Sequence, residues 1–345
     1  MEIEFEQSEH ITYEKAPPIT DMTGVHSVIE RIRQRLRKRI LGRDKVIDIL
    51  LIALLADGHV LLEDFPGSGK TSLVKALGDC VIDDLPDDNI VTIRRIQFTP
   101  DLLPSDITGG TIFDPNTNRF FFSPGPIFAH IVLADEINRT SPKVQSALLE
   151  AMAEKQTTVD NRTRKLDEFF FVIATQNPLD MVGTFPLPQA QLDRFLFKIR
   201  MTHISKQDEL KLLSHLDEVQ RGAGEDLPRV TRTEILDARN VIHQQIHVAP
   251  TIHETLVDIA EATRNPAVSP QGISTRSLVM LLPALQACAV LNQRSFVSAE
   301  DIAQMAPLVF AHRLVLAPGK DSAEDVLQEC CAKPLERLAR STLKT

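Results

Sequence analysis

Apolar and polar positions follow one rhythm in the middle of this chain and another at its end. Between residues 59 and 200, short apolar runs recur at 59–63, 91–97, 130–134, 169–175 and 195–199. Between them, 71–79 and 142–154 carry a helical period. Most of these runs are apolar without alternation, as in strands covered on both faces. Strands alternating with helices predict a mostly parallel, five-stranded sheet flanked by helices. Upstream, Val28, Ile32, Leu36 and Ile40 recur every fourth residue, with arginines on the other faces, and residues 44–55 are apolar nearly all round, which predicts a buried helix. Beyond about residue 204 the strand rhythm stops. Amphipathic segments at 206–220, 231–246, 251–263, 274–291, 298–310 and 322–341 predict an all-helical second domain. Three parts follow: an N-terminal arm (1–23), an α/β core (24–203) and a helical domain (204–345). Two polar-turned stretches, 108–122 and 155–167, read as hairpins, and the first carries Phe120, Phe121 and Phe122.

Composition narrows the function classes. The 345 residues are 43% hydrophobic and 25% charged, as in an ordinary globular protein. A net charge of −9, no Trp and one Tyr argue against a nucleic-acid coat with stacking platforms. The arginine-rich segment at 31–39 reads as a solvated face or subunit contact before a nucleic-acid surface. No apolar run reaches the ~18 residues of a membrane helix. The acidic start, Met1 to Glu6, lacks a signal-peptide layout, so a cytoplasmic location is expected. Cys80, Cys288, Cys330 and Cys331 show no metal-site spacing and read as reduced, buried thiols.

The chemistry gathers where an apolar strand runs into Pro66, Gly67, Ser68, Gly69, Lys70, Thr71 and Ser72. Glycines allow the backbone N–H groups to curl around phosphate oxygens, and a helix N-terminus follows them. Lys70 would reach the β- and γ-phosphates, and the Thr71 hydroxyl would ligate Mg²⁺. The first glycine of the usual motif is replaced by Asp64. Residues 130–134 form the third, buried strand, ending in Asp135 and Glu136 at the carboxyl edge where ligands of open α/β sheets sit. Asp135 is placed to hold Mg²⁺, and Glu136 to polarise a water attacking the γ-phosphate. Together these motifs point to ATP or GTP binding. Asn177, closing the fourth strand, would lie beside that water or else form an Asx turn before Pro178. Arg194 and Arg276 stand at element junctions, and composition alone leaves them as candidate surface ion-pair partners.

From about Leu41 to Arg313 the chain resembles AAA+ ATPases of the MoxR family. The matching runs are 58–63, 66–71, 96–109, 124–129, 133–139, 145–152, 174–178 and 188–195. The resemblance implies a P-loop AAA+ core and a helical lid. It makes Lys70 and Thr71 the phosphate-loop pair, Asp135 the Mg²⁺-linked acid, Glu136 the hydrolytic base and Asn177 the polar sensor. It makes Arg194 an arginine finger given to a neighbouring subunit, and Arg276 the lid's sensor arginine, although Thr275 stands where the family commonly has Pro. It further implies ATP and Mg²⁺ as cofactors and a ring, hexameric in the family's manner. A client protein to remodel and a von Willebrand factor A partner are implied as well. The 108–122 hairpin would be the insert that projects toward the ring pore. Alternatives are a nucleotide-gated scaffold with slow turnover, a magnesium-chelatase-like subunit or a nucleic-acid motor.

Overall fold

The computed structural model describes residues 17–63, 68–84, 90–177, 183–214, 224 and 226–342. Two helices open it, α1 (Met22–Arg39) and α2 (Asp44–Leu55). The first begins at Met22, six residues before the Val28 that opens its four-residue apolar period, because the Asp21 carboxylate caps it, accepting from the Gly24 N–H at 2.9 Å. Val25, Val28, Ile29, Ile32 and Leu36 form its buried stripe. Its basic face is answered by carboxylates of the same chain. Arg33 Nε meets Asp48 Oδ1 at 2.9 Å, Arg37 Nε meets Asp44 Oδ1 at 2.6 Å, and Arg31 and Arg39 pair with Glu234 and Asp79.

The main sheet is built from β1 (Val60–Glu63), β3 (Val91–Gln97), β6 (Ala129–Asp135), β9 (Phe171–Gln176) and β10 (Phe197–Arg200). They lie in the order β10-β1-β9-β6-β3, every neighbouring pair parallel. Successive side chains point to opposite faces. Val60, Leu62, Ile131, Leu133, Phe171 and Ile173 enter one apolar core, with α2 and α3 (Lys70–Gly78). Leu61, Val132, Ala134, Phe170, Val172 and Ala174 enter the other, with α5 (Pro142–Glu154). The predicted five-stranded sheet, covered on both faces, is therefore what forms.

Two hairpins leave this sandwich. One is β4 (Gly109–Asp114) with β5 (Arg119–Pro124), entered through α4 (Pro104–Thr108); the other is β7 (Gln156–Val159) with β8 (Arg162–Lys165). Thr111 Oγ1 donates to Asp160 Oδ2 at 2.5 Å, and the Arg164 guanidinium stands 3.6 Å over the Phe122 ring, so the two are joined. Phe120 is 73% exposed. Gly109 has φ +81°, and a Cβ there would lie 2.2 Å from the Ser123 carbonyl oxygen, so the base of the first hairpin requires glycine twice over.

After α6 (Gln189–Leu192) and α7 (Lys206–Ser214), the helical part comprises α8 (Arg232–Gln245), α9 (Pro250–Thr263), α10 (Thr275–Leu291), α11 (Ala299–Phe310) and α12 (Ala323–Thr342). The expectation that strands end near 204 needs one correction. Val230 and Thr231 form β11, which pairs in parallel with β2 (Val81–Ile82). A two-residue strand is too short to leave a periodic trace. The apolar core of these helices, including Ile235, Leu285, Val309 and Leu327, is continuous with that around α1, α2 and the sheet.

Candidate active site

Four strand ends and one helix start meet at the carboxyl edge of the sheet. Glu63 closes β1 opposite Gln176 of β9, and Asp135 closes β6 opposite Gln97 of β3. The proposed phosphate loop leaves β1 here. Asp64, Phe65, Pro66 and Gly67 lie outside the described residues. Ser68 and Gly69 lead into α3, whose first residue is Lys70. Gly69 has φ +90°, and a Cβ placed on it would meet no atom of the described residues within 4 Å; its left-handed backbone is what calls for glycine.

Lys70, Thr71 and Ser72 share one cleft of about 370 Å³ with Asp135, Glu136 and Asn177. Residues that the sequence singled out from three separate motifs thus face one space, together with Ser68 and Gly69. Ser68 Oγ is shielded from solvent and has no hydrogen-bond partner among the described residues. A shielded, unsatisfied hydroxyl beside a helix N-terminus fits an anionic oxygen as its missing partner. Among the described residues no group of three or more His, Cys, Asp or Glu could hold a metal ion. A divalent cation at Thr71 and Asp135 would therefore need phosphate oxygens to complete its shell, as Mg²⁺ sites on nucleotides do.

The two carboxylates are held by different neighbours. Asp135 Oδ1 accepts from Thr175 Oγ1 at 2.6 Å, and Oδ2 accepts from Arg95 Nη2 at 2.7 Å. The Glu136 N–H donates to Thr175 Oγ1 at 2.9 Å. Glu136 itself sits at φ 58°, ψ 48°, a left-handed conformation that costs a non-glycine residue about 1 kcal/mol. Its Oε2 accepts from Gln97 Nε2 at 2.8 Å and lies 3.3 Å from Arg139 Nε. Asn138 Nδ2 donates to the Asn177 carbonyl at 3.4 Å.

Arg95, Gln97 and Thr175 were not among the residues singled out from the sequence. Arg95 and Gln97 are two apart on β3 and so share a face, and Thr175 is the polar residue of an otherwise apolar run. Those were the available signals, but their partner Asp135 is 40 residues from both Arg95 and Thr175, across the sheet.

A second cavity of about 290 Å³ adjoins the first and shares Ser68, Gly69 and Ser72 with it. Ile40, Leu41, Leu73, Met201, Ile204 and Leu212 make much of its wall apolar. Arg43 binds its floor, donating to the Thr202 carbonyl and, at 3.4 Å, to the Ser68 carbonyl.

Among the described residues, neither Arg194 nor Arg276 lines either cavity. Arg194 is half-buried in the turn between α6 and β10. Arg276 is exposed in the first turn of α10. Buried Arg313 stands between them. It donates to the carbonyls of Phe195 at 2.6 Å, Asp193 at 3.2 Å and Leu196 at 3.3 Å. Burial brings its pKa down to about 10, against the pull of Asp193 and together with the charge of Arg276. Arg194 thus lies within an arginine-bound turn whose Arg313 also feels the charge of Arg276, and neither Arg194 nor Arg276 lines the phosphate cleft.

Residues 59–197 match the ATPase family associated with various cellular activities (AAA), and residues 261–330 match the AAA lid domain. Residues 27–87 match the MoxR domain of MoxR-vWA-beta-propeller ternary systems. The chain is 44% identical over 294 residues to the uncharacterized protein YeaC of Bacillus subtilis, covering 85% of this chain and 89% of that one. It is 36% identical to Chaperone MoxR1 of Mycobacterium tuberculosis, covering 85% and 76% of the two. A crystal structure of a candidate ATPase from Cytophaga hutchinsonii, 34% identical, matches with a TM-score of 0.80 over 90% of this chain and 96% of that one.

Proposed function

Because the chain belongs to the MoxR family of AAA+ ATPases, we propose that it binds Mg²⁺-ATP in the Lys70–Asp135 cleft and hydrolyses it to remodel a client protein. The observation that carries this reading is the meeting of the α3 N-terminus, Asp135, Glu136 and Asn177 in one space. The triphosphate lies along the α3 N-terminus, with Lys70 on its outer phosphates. The adjoining apolar cavity has the character a nucleoside base needs. Thr71 and Asp135 hold the cation, which neutralises charge on the transferring phosphoryl group when bound. Glu136 takes the proton of the attacking water once it is released from Gln97, and Asn177 orients that water.

Arg194 and Arg276 lie outside the chain's own cleft, which supports both being offered to the nucleotide of an adjacent subunit. That arrangement needs a ring, which we take to be a hexamer. The MoxR-vWA-beta-propeller match supports a von Willebrand factor A partner. The name of the Mycobacterium relative, a chaperone, supports a client-remodelling role. Among the described residues no helix is long and apolar enough to cross a membrane.

Complementation tests the reading. Lys70→Ala abolishes ATP binding. Arg194→Ala binds ATP but hydrolyses it roughly 10³–10⁵-fold more slowly. Mixing the two variants restores part of the activity, because a Lys70→Ala subunit still presents Arg194 to its neighbour. No recovery on mixing, with both variants assembled, contradicts the shared site.

A further inference from the structure

Strand β3 reaches both acidic residues of the cleft through one chain of hydrogen bonds. Arg95 engages Asp135 Oδ2 with two nitrogens, Nη2 at 2.7 Å and Nε at 3.2 Å. The same Nη2 donates to Gln97 Oε1 at 2.5 Å. Gln97 then donates through Nε2 to Glu136 Oε2 at 2.8 Å. Thr175 occupies the other oxygen of Asp135. A guanidinium carries a permanent charge and a rigid fork of donors. Its charge stands against the carboxylate that the Mg²⁺-ATP reading assigns to the cation. The Asp135 side chain is nearly buried, at 11% exposure, whereas that of Arg95 is 50% exposed. The arginine also lies on the edge strand of the sheet, with solvent to swing into.

We propose that Arg95 is a positioning residue that holds the Asp135 carboxylate before a divalent cation arrives and competes with that cation for Oδ2. The inference rests on the nucleotide reading above. Two positive charges facing one carboxylate at contact distances repel each other, so arrival of the cation loosens the Arg95–Asp135 pair. Gln97 loses part of its anchor in the same step, because its amide oxygen accepts from the same Arg95 nitrogen. Its hold on Glu136 then weakens. Arg95 thereby links cation binding at Asp135 to freedom of the base at Glu136.

The test is a Mg²⁺ titration of the binding of a non-hydrolysable ATP analogue to the full chain. In Arg95→Met, the Mg²⁺ concentration for half-maximal binding falls roughly threefold to tenfold. Analogue affinity in the absence of divalent ions does not rise. Arg95→Lys keeps the charge, and its midpoint stays within about twofold of the unaltered protein. An unchanged or higher midpoint in Arg95→Met, with the unaltered protein binding the analogue, overturns this inference alone. Failure of the unaltered protein to bind any ATP analogue overturns the nucleotide reading and the inference with it.

Discussion

His59 shows how much one buried side chain can organise. It accepts the Val172 N–H at Nδ1 and its Nε2 bonds the Met152 carbonyl, both at 3.1 Å, so β1, β9 and α5 meet on one neutral imidazole. Burial pushes its pKa down to about 4, and burial beside Arg313 pushes that of His312 down to about 3. The unfolded chain protonates these groups near the ordinary value of 6.5. Between pH 6.5 and 4 the unfolded state therefore binds more protons, and stability falls as pH falls through that window. At pH 5 His59 alone costs about 2 kcal/mol relative to pH 7. Denaturant midpoints across this range measure it: His59→Gln has a flatter pH dependence than the unaltered protein, and an equal slope contradicts the assignment. Of the residues around the proposed nucleotide cleft, Lys70, Thr71, Asp135 and Glu136 were legible in the sequence because each sits within a local order of strand, turn and helix. Arg95 and Gln97 were not, because what gives them meaning is the register of β3 against β6.

At the scale of elements, apolar runs foretold the five main strands, since a strand buried on both faces leaves little room for polar residues. Hairpins were legible from polar turns, but their union was not. The Thr111–Asp160 bond and the Arg164–Phe122 contact join segments about 40 to 50 residues apart. The joined hairpins present Phe120 and Phe121 to solvent, Phe120 also packing against Phe113 across the hairpin at 5.1 Å between ring centres. Replacing both by Ser removes that ring pair and costs about 1 kcal/mol or less. The same variant captures less client in an ATP-trapped state, if this tip is where the client is held. Thermal unfolding and client pull-down measure the two effects, and undiminished capture places the client contact elsewhere.

For the whole molecule, the apolar core runs without a break from α1 and α2 into the helical lid. Polar ties reinforce it. Arg232 forks onto Asp167 at 2.7 and 2.8 Å, and Arg239 meets Asp57 at 2.7 Å and the Leu54 carbonyl at 2.8 Å. The helical character of this region was legible from its period, but its docking on α1 and α2 depends on pairs about 200 residues apart or more, such as Arg31 with Glu234. In the proposed ring, a lid fixed so firmly to its own core favours motion between subunits over hinging within one. Everything in that account depends on ATP being hydrolysed at the carboxyl edge of the sheet with Glu136 as the base. The most direct measurement is the fate of labelled ATP on Glu136→Gln: it remains bound and uncleaved, with turnover reduced about 10²–10⁴-fold, whereas turnover at the rate of the unaltered protein contradicts the account.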